Sequence, residues 1–224
     1  MSRKLEQNID QLPYKKASKW YRFWKRFFDI SLSFLGILVL SPLLLIIFLL
    51  VFLTSKGPGI YRDHRIGKNG REIHVYKFRS MYVDAEERIE KYLTKQQLKQ
   101  WKKERKVDHD PRVTPVGKVL RKLSLDELPQ LFNILFGSMS IVGPRPITDF
   151  ELKKHFTEEE QKILLSARPG LIGYWAVKGR SDISYAGGER QKLELDYFKL
   201  RGLFFDLGLI FRVIPTVLKG KGAK

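Results

Sequence analysis

From Ile30 to Leu53 the chain carries no charged residue, inside the longer stretch FFDISLSFLGILVLSPLLLIIFLLVFLTS from Phe27 to Ser55. An uncharged apolar run of about 18 or more residues is a membrane-helix candidate. Trp20, Tyr21, Phe23 and Trp24 stand just before it, where an interfacial aromatic belt would stand. The run starts too late and lasts too long for a cleaved signal peptide, and no A-x-A-like site follows it. Ser41-Pro42 interrupts it near the middle, where proline removes a backbone donor and kinks or breaks a helix. Lys15, Lys16, Lys19, Arg22, Lys25 and Arg26 crowd one flank, and Lys56, Arg62, Arg65, Lys68 and Arg71 the other. Basic flanks favour the cytoplasm, so both ends favour the same side. A segment that dips into the bilayer and returns satisfies both flanks, and a proline-kinked span satisfies the length; the pattern leaves both open.

Beyond the Gly57-Pro58-Gly59 turn the pattern becomes that of a water-soluble unit. IYRDHRIG and REIHVYKFRSM predict two short strands joined at Lys68-Asn69-Gly70. Asp84 to Lys106 predicts one exposed helix, with Ile89, Leu93 and Leu98 near helical spacing. VGKVLRKL predicts a short helix, PQLFNILFG a helix ended by Gly137, and Glu151 to Ala167 a single amphipathic helix stopped at Pro169-Gly170. LIGYWAVKG reads as strand or turn, and Glu189 to Lys199 as helix. The apolar FFDLGLIFRVIPTVLKGKG either packs on the core or lies on a membrane surface. No internal repeat or low-complexity tract is visible.

The charge changes this picture more than the length does. Among 224 residues, 42 Lys and Arg face 24 Asp and Glu, a formal net charge of +18. Such an excess points to anionic partners, whether nucleic acid, acidic lipid or phosphorylated substrate. There is no cysteine, so disulfides, thiolate metal sites and cysteine nucleophiles are excluded.

Against that background two adjacent carboxylates, Asp126 and Glu127, stand before Leu128-Pro129. Ser124-x-x-Glu127 matches a capping box, but it would put Pro129 at the fifth helical position, where its missing N–H is needed. A cap at Asp126 puts Pro129 in the first turn, where proline is tolerated. That frame predicts Asp126 at a helix N-terminus and Glu127 in the first turn, with the positive helix end holding both ionised. A plain cap explains the pair, and so does a site at which one carboxylate attacks phosphorus and the other binds Mg²⁺. The basic surroundings favour the second: Arg121 and Lys122 precede the pair, Arg145 is held between two prolines, and Arg168 and Arg180 stand in stiff or tight turns. There is no P-loop and no G-x-G-x-x-G. His64, His74, His109 and His155 show no ligand spacing, so a metal, if one is used, is carboxylate-bound Mg²⁺.

YKFRSM, DPRVTPVGKVLRKLSLDELPQLFNIL, MSIVGPRPI, ARPGLIGYW and VKGRSDI together resemble the bacterial sugar transferases, the monotopic phosphoglycosyl transferases that act on polyprenyl phosphate. The resemblance runs from about Lys25 to Ala223. Larger relatives carry spanning helices and an extra domain before this unit, and this chain resembles the catalytic unit alone. The resemblance implies an α/β fold, mostly helical α+β with a small sheet. It implies a basic, aromatic interfacial segment over residues 1–26, a re-entrant membrane helix over 27–55 broken at Ser41-Pro42, and a cytoplasmic catalytic domain with amphipathic interfacial helices over 56–224. It implies transfer of a sugar 1-phosphate from a UDP-sugar to undecaprenyl phosphate with release of UMP and use of Mg²⁺, at the cytoplasmic face of the bacterial inner membrane. Asp126 matches the family's nucleophile, which forms an aspartyl-phosphosugar intermediate. Glu127 matches the residue that supports the metal or the chemistry. Lys77, Arg121 and Arg145 match phosphate-handling positions, and Asp196 a later acidic residue, taken with Glu127 as a metal ligand. Arg168 and Arg180 join the phosphate-binding set from the basic-turn pattern. Two departures stand out: Gly137-Ser138-Met139-Ser140 replaces the usual Gly-Asp-Met-Ser, and the stretch from Asp196 to Asp206 is a residue or two short. The implied partners are UDP-sugar, undecaprenyl phosphate and membrane lipids, without nucleic acid, and a homodimer is an open expectation. Galactose or glucose is the suggested sugar, with N-acetylated sugars open. The competing class is a basic, membrane-anchored binder of nucleic acid or anionic lipid without catalysis. A ternary-complex transferase without a covalent intermediate is a third reading.

Overall fold

The computed structural model describes residues 13–87, 89–104, 107, 109–178, 185 and 187–218. Its first element, α1 (Lys19–Thr54), is a 36-residue helix whose N-cap Ser18 accepts a hydrogen bond from the Tyr21 amide. It begins well before the apolar run and continues through Pro42. Proline at 42 leaves the Leu38 carbonyl without its amide donor, and the Ser41 hydroxyl donates to that carbonyl at 2.9 Å. One narrow side of α1, including Asp29, Ser33, Ile47 and Val51, is buried against the rest of the chain. The opposite side leaves Phe34, Leu38, Val39, Ile46 and Leu53 exposed. Only 11 % of its most apolar window is covered by protein, so this is not the core helix of a soluble domain. An apolar surface of this extent requires a partner, and its length and composition suit a bilayer. The chain is membrane-associated.

The rest is mostly helical, with two small sheets. β1 (Ile60–Ile66) and β2 (Glu72–Phe78) form the expected antiparallel hairpin, with Ile60 opposite Phe78. Its turn places Asn69 and Gly70 at φ 59° and 74°, a conformation that Asn and Gly tolerate. β3 (Ser140–Val142) and β4 (Gly170–Ile172) pair in parallel. Gly143 follows β3, and a Cβ there would lie 2.6 Å from the Arg168 carbonyl oxygen, so the Gly143-Pro144-Arg145 turn depends on glycine for its approach to β4.

Two predicted helices are each divided. The helix expected over Asp84–Lys106 is α2 (Ile89–Tyr92) and α3 (Lys95–Glu104), because Thr94 and Gln97 exchange side-chain and backbone hydrogen bonds and start a new helix; Arg105 and Lys106 lie outside the described residues. The helix expected over Glu151–Ala167 is α6 (Asp149–His155) and α7 (Glu158–Leu164), each opened by a full capping box, Thr148 with Glu151 and Thr157 with Glu160. Before them, α4 (Pro115–Lys122) is capped by Thr114, and α5 (Gln130–Phe136) ends at Gly137 with φ 88°. After them come α8 (Tyr174–Lys178), α9 (Glu189–Leu200) and α10 (Leu203–Leu218).

The main core gathers Val142, Phe156, Tyr197, Phe198 and Leu209 from the later elements. Leu209 packs α10 into it, while Phe204 and Phe211 on the same helix are 91 % and 70 % exposed. A second cluster joins α1 to the earlier elements: Ile47 and Val51 pack with Phe78 and Leu120, and Leu125 and Leu128 pack against them. The turn that carries the acidic pair is thereby seated on the C-terminal half of α1.

Candidate active site

Ser124 adopts the left-handed conformation at φ 56°, and Leu125–Glu127 form a single 3₁₀ turn ahead of α5. Asp126 is therefore not the N-cap of a helix, and Ser124 makes no side-chain cap. The backbone of α5 starts only at Gln130, after Pro129. Proline at 129 is accommodated by moving the helix start past it, an outcome neither capping frame foresaw.

The pair opens on a cleft of about 880 Å³, whose lining includes Asp63, Lys77, Arg121, Arg145, Trp175 and Arg190. Burial, and then the charge of Glu127, push the Asp126 carboxyl up to about 6, against the pull of Lys77 and Arg121. The helix end expected to favour the charged form is missing, because no α-helix starts at Asp126, and withdrawal from water raises the Asp126 carboxyl instead.

Three of the sequence-predicted cations reach this cleft, each with a defined partner. Arg121 donates through Nε to the Ser80 hydroxyl at 2.9 Å. Lys77 donates to Asp63 at 2.8 Å, and Arg65 shares the same carboxylate oxygen at 2.8 Å. Burial alone would raise the Asp63 carboxyl, but Lys77 and Arg65 bring it down to about 2. Arg145 donates to Glu151 at 3.2 Å, and its backbone N–H donates to Glu194 at 3.0 Å.

The other predicted residues are placed differently. Arg168 donates through Nε to the Gly137 carbonyl at 2.7 Å, closing the C-terminal end of α5 away from the acidic pair. Asp196 is buried and pairs with Lys199 at 3.1 Å, beside a separate small cleft near Tyr14 and His155. It is not brought together with Glu127. Arg180 lies outside the described residues. Ser41 and Pro42 lie mid-way along α1, as described above.

The chain's motifs did not point to Asp63, Arg65, Glu151, Arg190 or Glu194. Glu194, two residues before Asp196, is 2 % exposed, and burial pushes its carboxyl up to about 7. Two positions along α9 turn a side chain to a different face, so Glu194 meets the Arg145 backbone N–H while Asp196 pairs with Lys199. Arg190 lies over the Trp175 ring at 4.3 Å and the Tyr185 ring at 5.0 Å, which leaves its guanidinium fixed at the cleft wall.

Residues 20–220 match the family model described as bacterial sugar transferase. The chain belongs to the bacterial sugar transferase family. As a member it is an enzyme, of the phosphoglycosyl transferase class. It is 42 % identical over 201 residues to the exopolysaccharide production protein ExoY of Rhizobium meliloti, covering 89 % of this chain and 87 % of that one. It is 39 % identical over 209 residues to the undecaprenyl-phosphate galactose phosphotransferase of Salmonella typhimurium, covering 92 % of this chain but 43 % of the relative. To the undecaprenyl-phosphate glucose phosphotransferase of Komagataeibacter xylinus it is 34 % identical over 227 residues, covering 96 % and 40 %. The sugar transferase matches therefore include the whole cleft, from Lys77 and Arg121 to Arg190.

Proposed function

We propose that this sugar transferase moves a hexose 1-phosphate from a UDP-sugar to undecaprenyl phosphate, through a covalent intermediate on Asp126. The acceptor and the sugar-phosphate transfer are those in the relatives' names. The observation that carries the chemistry is the placement of Asp126, a withdrawn carboxyl beside Glu127, between the electrostatic influence of Lys77 and Arg121. In the first step Asp126 attacks the phosphorus that bears the sugar. The bond from that phosphorus to the bridging oxygen breaks, and UMP leaves with the electron pair. In the second step a phosphate oxygen of undecaprenyl phosphate attacks the same phosphorus, and the bond to Asp126 breaks, restoring the carboxylate. Covalent catalysis lets two bulky substrates react in turn at one carboxyl. Lys77 and Arg121 offset charge at the phosphorus under attack, and Arg145 and Arg190 grip the leaving nucleotide's phosphate.

Mg²⁺ belongs to the same proposal. Among the described residues no group of three or more His, Asp or Glu side chains gathers to hold a metal. Mg²⁺ commonly uses one or two carboxylates plus substrate phosphates, and the adjacent Asp126 and Glu127 at a cationic cleft fit that donor set. Glu127 is the side chain that would hold it; Asp196 does not fit. When bound, the ion neutralises diphosphate charge.

The monotopic arrangement is also proposed, with the catalytic unit on the cytoplasmic face. Near its start, Arg26 donates to the Ile134 and Leu135 carbonyls and Asp29 accepts from Ser140. Near its end, Arg79 donates to the Ser55 carbonyl at 2.7 Å. Those anchors are about 40 Å apart along a straight helix, yet both grip the same catalytic unit. A transmembrane crossing would carry one of them to the far side. The reading as a basic nucleic-acid or anionic-lipid binder accounts for the charge and the apolar helix but not for Asp126 and Glu127 on the cleft.

The test is release of UMP from a panel of UDP-sugars with undecaprenyl phosphate present. Wild-type protein should release UMP and label the lipid with sugar phosphate from at least one donor. Silence across the panel, with folded protein and Mg²⁺, would count against the proposal.

A further inference from the structure

The cations of the cleft are not independent. Asp63 and Arg65 are two residues apart on β1 and share one face of the strand. On the neighbouring strand Lys77 pairs with Tyr61, so it reaches Asp63 diagonally. Arg65 then turns the other way. Its Nη1 donates to the Glu151 carboxylate at 3.3 Å and lies 3.4 Å from the Pro146 carbonyl, while its Nη2 keeps Asp63 at 2.8 Å. Glu151 is itself fixed, because as the third residue of α6 in its capping box it accepts from both the amide and the hydroxyl of the N-cap Thr148. The other Glu151 oxygen takes Arg145. The contacts thus run unbroken from Lys77 to Asp63, Arg65, Glu151 and Arg145.

We infer that Arg65 is a positioning residue that sets the spacing between Lys77 and Arg145, and so matches the two ends of this chain of contacts, both lining the cleft, to a nucleoside diphosphate rather than to a single phosphate. The inference rests on the phosphoglycosyl transferase reading above. Arg65 is buried to 14 % side-chain exposure, between two carboxylates on different elements. A planar guanidinium can serve both in a fixed fork, and an ammonium cannot. Ile66 reinforces the same join, its amide donating to the Ile147 carbonyl at 2.8 Å. Without the fork Lys77 and Arg145 each remain paired, Lys77 to Asp63 and Arg145 to Glu151. Each end still meets one phosphate, but the distance between the ends is no longer held.

Calorimetric titration of UDP and UMP onto the full chain, without lipid acceptor, reads this directly. Arg65→Lys keeps the buried positive charge and removes the fork; Arg65→Gln removes both. Arg65→Lys should weaken UDP by about tenfold, within the usual range of site-to-site coupling, and leave UMP within about twofold. Steady-state kinetics should show the matching split, with the KM for UDP-sugar rising and UMP product inhibition unchanged. Arg65→Gln should show the same selectivity with a larger loss, and melting curves identify any variant that does not fold. Equal weakening of UDP and UMP by the folded Arg65→Lys variant, or weakening of neither, would overturn the coupling and leave the proposed reaction standing. Failure of wild-type protein to bind UDP at all would overturn the proposed reaction, and the coupling with it.

Discussion

The hydroxyl of Ser80 accepts a hydrogen bond from Nε of Arg121 at 2.9 Å, and so a residue just past the hairpin holds a cation whose charge reaches Asp126. The Ser80 carbonyl is pinned in turn by the Thr114 amide at 3.0 Å. A Cβ at Gly117 would lie 2.0 Å from that carbonyl oxygen, so only glycine lets α4 approach Ser80 so closely.

Ser80→Ala should therefore lower turnover while the protein stays folded. Hydrogen bonds to charged groups contribute about 1.5–3 kcal/mol, so kcat/KM should fall by roughly tenfold to a hundredfold. Gly117→Ala should act through the fold: overpacking against backbone costs about 1–3 kcal/mol, and the denaturation midpoint should drop accordingly. A Ser80→Ala enzyme with wild-type kcat/KM would mean that Arg121 is held elsewhere.

Asp126 makes the pH dependence specific. Its carboxyl is pushed up to about 6 in the folded chain, by burial first and then by Glu127. The free enzyme gains its nucleophilic charge as pH rises through that value, so kcat/KM should have an acid limb near pH 6. Stability should show the opposite sign. A carboxyl harder to ionise when folded costs nothing below its unfolded pKa near 4, costs increasingly between about 4 and 6, and costs in full above that. Asp126→Asn should then melt higher than wild type at pH 8 and level with it at pH 4. The same variant should lose several orders of magnitude in turnover. Retained activity above a few per cent would remove Asp126 as nucleophile.

Glu127→Gln should also be severe, with an altered Mg²⁺ requirement, because it removes one charge from the carboxylate donor set. An unchanged Mg²⁺ profile at near-normal rate would take Glu127 out of the site.

A covalent path also predicts ping-pong kinetics. With no lipid acceptor, UMP release should stop at about one per active site, and mass spectrometry should find the phosphosugar on Asp126. Strictly sequential kinetics with no trapped adduct would favour direct transfer in a ternary complex.

How far the chain could be read in advance depended on the range of the interaction. The hairpin turn at Asn69-Gly70, the stop at Gly137 and the apolar run of α1 are set by neighbours in sequence, and were legible. The breaks at Thr94 and Thr157 were also local, but helical periodicity continued across both and masked the capping threonines. The gathering of basic residues around the acidic pair was legible, and the pair's local geometry was misread, because proline at 129 moved the start of α5. Arg121 and Arg145 were legible from the basic pattern around the pair, and Lys77 from motif resemblance. Their partners Asp63, Ser80, Glu151 and Glu194 meet them only through β1 pairing, the approach of α4 and the rotation of α9. Those are tertiary relationships, and no spacing along the chain records them.

The topology of α1 yields the last prediction. Its ends are gripped by one catalytic unit, through Arg26 and Asp29 at one end and Arg79 with Ser55 at the other. Its basic flanks both favour the cytoplasm. At its middle, Pro42 frees the Leu38 carbonyl and Ser41 satisfies it, which removes the cost of an unpaired carbonyl in the bilayer. The absence of cysteine makes the test clean. Single cysteines at Ser18 and Lys68 should both resist a membrane-impermeant thiol reagent in intact cells and both react once the membrane is opened. Labelling of Ser18→Cys alone in intact cells would establish a full span. Replacing Ser41 and Pro42 with Ala and Leu then separates two causes of the protection. If Ser41-Pro42 keeps the helix from crossing, the double variant should expose one end to the reagent. If the grip of Arg26, Asp29 and Arg79 suffices, both ends should stay protected, and loosening that grip with Arg79→Met in the double variant should be what lets the helix cross.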